Sequence, residues 1–289
     1  PAEFIHFGTT TELRRLVTAD VEDYEFLDWK KQVSTTAPET SAYAAHNSYV
    51  GKRARIACGA YLEDSYVLDE SVVGKGSVIS NVKLRNVTVP ENVVLHGLKL
   101  LDGRYVVRIY GVEDNPKGTL EKDACFLGTT LSAFLSGNGL TPEALWKDGE
   151  HYLWFAALYP AADTMEEAIR SALLVKKMAE HSASPEEIEA WKNKERMSLY
   201  SSFNGADVLA ISKWQHELES RILASKFVWA IEAGTYYKEA LQVFGAHGIS
   251  QDIYEMLLED AGKAGFSLKI RIYYALAQYM NCLLYTSDA

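Results

Sequence analysis

Aliphatic residues return every six positions through the first half of this chain. Val50, Ile56, Leu62 and Leu68 stand six apart, and the series resumes at Val72 or Val73, Val78, Leu84, Val89 and Leu95 with one-residue slips. Small or turn-compatible residues follow several of them, as in Val50-Gly51-Lys52-Arg53-Ala54, Val73-Gly74-Lys75-Gly76-Ser77 and Val89-Pro90-Glu91-Asn92-Val93. A six-residue step makes one short strand and one corner. The aliphatic side chain points inward and stacks on its counterpart in the next coil, and the small residue after it lets the backbone turn without a Cβ clash. Three steps close a coil, so the spacing predicts a short left-handed parallel β-helix of three to four coils over residues 44–112. The alternative is a β-meander, which needs hairpin turns at regular spacing. Asp102-Gly103, at the far end of the stretch, is the one Asn-Gly or Asp-Gly pair there.

The rest of the chain divides around this repeat. Phe4, Ile5 and Phe7 with Gly8 read as a strand and turn. Thr9 and Glu12 have capping-box spacing for a short helix through Leu13, Leu16 and Val17. Residues 20–31 are acidic and aromatic, and Ser34 to Ser41 form a polar connection, so residues 1–43 read as the end of a preceding domain and its linker. Residues 113–140 are a loop-rich connection containing the apolar piece Ala124 to Leu135. Residues 141–282 read as an α-helical connector. Thr141-Pro142, the pair Asp163 and Glu166, and Ser184-Pro185-Glu186-Glu187 supply helix starts. Met165, Ala168, Ile169, Ala172, Leu173 and Met178 recur at helical spacing. Later helices are expected over 206–231, 235–244, 249–261 and 266–280, with glycines between them. The chain has no initiator Met, and both ends read as cut. Residues 283–289 resemble translated adapter read-through and read as a non-native tail.

Composition narrows the class. A net charge of −10 and a pI near 5.3 disfavour nucleic acid as a partner. No apolar run reaches the ~18 residues of a membrane span. Cys58, Cys125 and Cys282 are far apart and form no CxxC pair, which fits a reducing, cytoplasmic setting.

No nucleotide or metal motif emerges. The Gly-Lys pairs at Gly51, Gly74 and Gly262 lack the remainder of a phosphate loop. Gly74-Lys75-Gly76 reads as a β-helix corner and Gly137-Asn138-Gly139 as a loop or cap. His6, His46, His96, His151, His181, His216 and His247 show no metal-ligand spacing. His46 and His96 flank the repeat. Hexapeptide-repeat acyltransferases place a general-base histidine near coil edges, so such an enzyme, or the C-terminal domain of another sugar nucleotidyltransferase, is the alternative reading; surface imidazoles at coil corners are the plainer one. Ser136-Gly137 is no nucleophile elbow. Glu63-Asp64, Asp69-Glu70 and Glu166-Glu167 read as solvated corners or helix starts. Lys52, Arg53 and Arg55 form a small basic corner.

Three stretches carry a family resemblance. Glu3-Phe4-Ile5-His6-Phe7-Gly8-Thr9-Thr10, with Glu12 and Leu13, resembles the segment closing the nucleotidyltransferase domain of the fucokinase/GDP-fucose pyrophosphorylase family. The repeat from Ser48-Tyr49-Val50-Gly51 onward is similar to the β-helix that follows there. Trp229-Ala230-Ile231-Glu232-Ala233-Gly234-Thr235-Tyr236-Tyr237 resembles the connector before the kinase domain. The resemblance implies an internal fragment of an enzyme that phosphorylates L-fucose with ATP and couples fucose 1-phosphate to GTP, with Mg2+, giving GDP-fucose and pyrophosphate. It implies as partners a nucleotidyltransferase domain and a GHMP-type kinase domain of the same chain, with homo-oligomerisation open. The family's glycine-rich GTP loop and kinase phosphate loop have no counterpart here. No catalytic, cofactor-binding or metal residue is therefore assigned, and the fragment alone is expected to be inactive, its β-helix fixing domain geometry.

Overall fold

A computed structural model describes residues 8–147 and 149–286, without the side chains of Glu25, Ala246, His247 and 282–286. The expected strand at Phe4, Ile5 and Phe7 lies outside the described residues, as does His6. The chain forms two compact units, residues 1–215 and 216–289.

In the first unit, helix α1 (Thr10–Thr18) opens on the Thr9 cap, but the reciprocal bond of a full capping box goes to Gly8 rather than to Thr9. Thr9 Oγ1 accepts from the Glu12 amide, and Glu12 Oε2 accepts from the Gly8 amide. A short strand β1 (Gln32–Val33) then leads into the coils. The strands are β2 (Ala44–His46), β3 (Tyr49–Val50), β4 (Arg55–Ile56), β5 (Tyr61–Glu63), β6 (Tyr66–Val67), β7 (Val72–Val73), β8 (Val78–Ser80), β9 (Lys83–Leu84), β10 (Thr88–Val89) and β11 (Val93–Lys99). They pair in parallel along three faces, β2-β5-β8-β11, β3-β6-β9 and β4-β7-β10. This is a parallel β-solenoid, and its inward aliphatic side chains are sealed: Leu62, Val67, Val73, Ile79, Leu84 and Leu95 are 0% exposed.

The coils are tighter than three six-residue steps. Ala45, Leu62, Ile79 and Leu95 are register partners, so successive coils take 17, 17 and 16 residues. The corner after the first face closes with one residue fewer. Asn47, Asp64 and Asn81 occupy it with φ of 39°, 48° and 52°, a left-handed conformation that Asn and Asp tolerate best among side-chain-bearing residues. Two repeat positions are corrected as a result. Val67, not Leu68, stacks beneath Leu84, and Ile79, not Val78, stacks beneath Leu95. Val78 faces outward, with Val94 and Val112. Serines line the turns inside: Ser48, Ser65, Ser71 and Ser77 are all 0% exposed. Their hydroxyls bond the neighbouring backbone, as Ser65 Oγ does to the Glu63 carbonyl at 2.7 Å and from the Val82 amide at 3.2 Å. The polar connection at 34–41 docks here too, where Thr36 Oγ1 accepts from the Val50 amide at 2.6 Å.

The solenoid ends in a hairpin. β11 pairs antiparallel with β12 (Tyr105–Gly111) around the Asp102-Gly103 turn. After the small hairpin β13 (Cys125–Phe126) and β14 (Thr129–Thr130) comes α2 (Leu131–Gly137). Asn138 caps α2, donating to the Phe134 carbonyl at 2.7 Å and to Met178 at 3.0 Å. The region expected to be wholly helical adds two strands to the same sheet, β15 (Tyr159–Ala162) and β16 (Arg196–Met197). Between them lie α3 (Met165–Ala179) and α4 (Pro185–Lys192). Thr164 rather than Asp163 caps α3, accepting from the Glu167 amide, while Ser184 and Glu187 form the expected box on α4. Pro142 opens only a 3-10 turn, with no side-chain cap. α5 (Leu199–Asn204) follows, then the start of α6 (Val208–Glu232).

The second unit holds the remainder of α6, α7 (Tyr237–Ala240), α8 (Gln251–Lys263) and α9 (Phe266–Thr286). Phe227, Ile231, Leu257 and Ile272 form its core. Arg221 on α6 pairs with Asp260 on α8.

Candidate functional site

The first unit presents two places where polar chemistry gathers. One is a groove of about 1420 Å3 between the first turn of α1, the loop 112–119 and the aromatic residues Tyr152, Trp154 and Phe155. On its wall the Glu12 amide at the start of α1 is taken by Thr9 Oγ1, and the Gly8 amide by Glu12 Oε2. Asp114 at its edge is buried, and one carboxylate oxygen accepts from the Gly111 amide at 2.6 Å and the Leu127 amide at 2.9 Å. Burial raises the pKa of this carboxyl, and the two amides oppose the rise. These bonds pin the loop to β12. The Cys125 thiol also bonds to the Asp114 carboxyl, and burial, then that carboxyl, push the thiol's pKa up, away from a reactive thiolate.

The other place is the outer face of the eight-stranded sheet. Glu63, Ser80, His96 and Arg108 are register partners on β5, β8, β11 and β12. Glu63 Oε1 accepts from the Ser80 hydroxyl at 2.8 Å, and Arg108 donates to His96 Nδ1. Burial, and then the neighbouring guanidinium, lower the His96 pKa to about 3. Burial also lowers that of Arg108. A general base needs a pKa near the working pH, and His96 is far below it. His46, in the same row, is exposed on β2. Both histidines therefore sit on strand faces, not at the coil corners where the sequence put them.

The other sequence candidates resolve into structure. Arg53 pairs with Asp69 and Glu70 across a corner. Gly74 and Gly76 form the corner over Pro90 and Asn92. Glu166 and Glu167 lie in the first turn of α3. Ser136 is at the end of α2, with its hydroxyl on the Ala133 carbonyl. Cys58 and Cys125 are free, exposed thiols, and the Cys282 and His247 side chains lie outside the described residues. Among the described residues no group of three or more His, Cys, Asp and Glu side chains could hold a metal ion. No described helix is long and apolar enough to cross a membrane.

Sequence reasoning missed the Arg108–His96 pair. The available signal was a lone arginine inside Tyr105-Val106-Val107-Arg108-Ile109-Tyr110, a charge in an otherwise apolar strand.

Comparison with known proteins follows the same outline. The fucose pyrophosphorylase domain family matches residues 1–164, a span that holds the whole solenoid. A protein of Arabidopsis thaliana named bifunctional fucokinase/GDP-fucose pyrophosphorylase is 27% identical over 217 residues, covering 68% of this chain and 20% of that protein. The chain thus spans about a fifth of the length of that relative. No solved structure matches it. With more than half of its residues matched, the chain belongs to the fucose pyrophosphorylase domain family.

Proposed function

We propose that this chain is the structural middle of an enzyme of GDP-fucose salvage synthesis. In this reading the parent phosphorylates L-fucose with ATP and then couples fucose 1-phosphate to GTP, releasing pyrophosphate. The solenoid spaces and orients a nucleotidyltransferase domain before it and a GHMP-type kinase domain after it, and the catalytic loops and their Mg2+ belong to those domains. The setting is cytoplasmic.

The observation that carries the reading is the filled interior of the coils. Ala60, Leu62, Val73, Ile79, Val82 and Leu95 are all 0% exposed, so the solenoid is a stiff rod rather than a container. A rod that cannot deform is suited to holding catalytic groups of other domains at fixed separation. The bifunctional name of the Arabidopsis relative supports the two-step chemistry.

The test is to read the coding sequence outward on both sides and assay the extended protein. A glycine-rich nucleotidyltransferase domain upstream, a kinase domain downstream and GDP-fucose formation from L-fucose, ATP and GTP are expected. Unrelated flanking domains, or an extended protein making only acyl transfer, would overturn the reading.

A further inference from the structure

Two rows run side by side across the outer face of the sheet. One is Tyr61, Val78, Val94 and Tyr110; the other is Glu63, Ser80, His96 and Arg108. The first is largely apolar and sealed, with Val78, Val94 and Val112 packed together. The second ends in a charge at either side. Glu63 is engaged with Ser80 and stands three strand spacings, about 14 Å, from Arg108.

Arg108 is only 7% exposed. Its Nε is buried with no acceptor. Among the described residues no carboxylate pairs with it; the titratable groups that act on it are the phenols of Tyr110 and Tyr159, whose pKa values burial raises and which are neutral at neutral pH. The bond it gives to His96 Nδ1 requires that nitrogen to be an acceptor, which puts the imidazole proton on Nε2 and leaves the ring neutral. A buried guanidinium normally has an anionic partner, because an uncompensated charge in an apolar setting is strongly unfavourable. Here the guanidinium and the Nε2–H are donors, and among the described residues no carboxylate is paired with them.

We propose that Arg108 and His96 form a binding site for an oxyanion. The guanidinium supplies charge and forked N–H donors, and the imidazole Nε2–H supplies a further donor. The ligand class is a small anion with two or more oxygens on one centre, a phosphate or a carboxylate, which a planar guanidinium matches in shape. The tyrosines and valines beside it lower the local dielectric and strengthen the pairing. This inference rests on the cross-strand geometry and is independent of the role proposed for the whole chain.

The test is an anion titration of the folded, 15N-labelled chain at neutral pH, observed at its imidazole resonances, with His96→Gln identifying the signal. Inorganic phosphate is the probe in one arm and acetate in the other, at matched ionic strength. The expected result is a saturable shift of the His96 resonances, lost in Arg108→Gln and weakened roughly tenfold in Arg108→Lys, which keeps the charge without the fork. Saturation by phosphate identifies a phosphate site, and saturation by acetate alone a carboxylate site. If Arg108→Gln does not fold by circular dichroism, the lysine variant carries the comparison. No saturable response in either arm, or an unchanged response in the folded Arg108 variant, would overturn the proposal.

Discussion

Gln215 Nε2 donates to Asp64 Oδ2 at 2.7 Å, fastening the beginning of α6 to a corner of the solenoid. The same corner takes Trp214, whose indole N–H donates to the Asp64 carbonyl at 2.9 Å and whose ring meets Tyr66 edge-on at 5.3 Å. Asn47 Nδ2 donates to the second carboxylate oxygen of Asp64 at 2.7 Å. One aspartate therefore serves the backbone turn, the ladder to the preceding coil and the helix.

Replacing that aspartate separates these roles. Asp64→Ala removes two side-chain acceptor bonds and places a Cβ-bearing residue without a local acceptor at φ 48°. A loss of about 2–3 kcal/mol is expected in urea unfolding of the first unit. Asp64→Asn keeps the turn preference and one acceptor, so its loss should be about half as large. Equal stability of all three proteins would contradict the clamp.

The stacking register gives a second comparison. Val67 is 0% exposed and lies between Val50 and Leu84, whereas Leu68 is half-buried. Val67→Ala should cost about 2 kcal/mol through lost burial and a residual cavity. Leu68→Ala should cost less than about 1 kcal/mol, although it removes more atoms. A larger loss at Leu68 would restore the uniform six-residue spacing that the structure replaces.

Two glycines should respond in opposite directions. A Cβ on Gly74 would stand 2.5 Å from the Pro90 carbonyl oxygen and the Glu91 amide of the next coil, and backbone on that side has nowhere to move. Gly74→Ala should destabilise the first unit by several kcal/mol, at least about 2. Gly262, inside α8, faces open space. Gly262→Ala should stabilise the second unit by about 0.5–1 kcal/mol. Thermal unfolding followed by circular dichroism distinguishes the two signs.

His96 makes stability depend on pH in a definite direction. Its pKa is lowered from 6.5 to about 3 in the folded protein, so below about pH 6.5 the unfolded chain binds a proton that the folded chain refuses. Stability is thus fully retained above that pH and falls towards pH 3, by at most about 1.4 kcal/mol per unit from this group. Asp114, raised by burial, pulls the other way at acid pH. The contribution of His96 is isolated by comparing the native chain with His96→Gln between pH 4 and 7. The variant should show the shallower fall, and parallel curves would contradict the neutral, half-buried imidazole.

The solenoid was legible because stacking forces one aliphatic residue inward on every face, and that demand survives in a single sequence. The register was only partly legible. A left-handed Asn or Asp shortens the first corner of each coil, which Asn47, Asp64 and Asn81 record at intervals of 17, and left-handed Asn86 sits at the second short corner of the 16-residue coil. A search for sixes passes over them and selects Leu68 and Val78. β15 and β16 were hidden because strands of four and two residues are too short to show alternation. Their place comes from long-range partners, such as Tyr159, whose hydroxyl donates to the Ile109 carbonyl at 2.9 Å. The Arg108–His96 pair depends on the register of β11 against β12, which composition does not encode.

The proposed division of labour between this chain and flanking catalytic domains is tested most directly by turnover. The purified chain, shown to be folded, is incubated with L-fucose and ATP, and separately with fucose 1-phosphate, GTP and Mg2+, beside the extended protein as control. The account predicts no fucose 1-phosphate and no GDP-fucose from the chain alone, and both from the extended protein. Either product formed by the chain alone, at a rate that scales with its concentration, would contradict it.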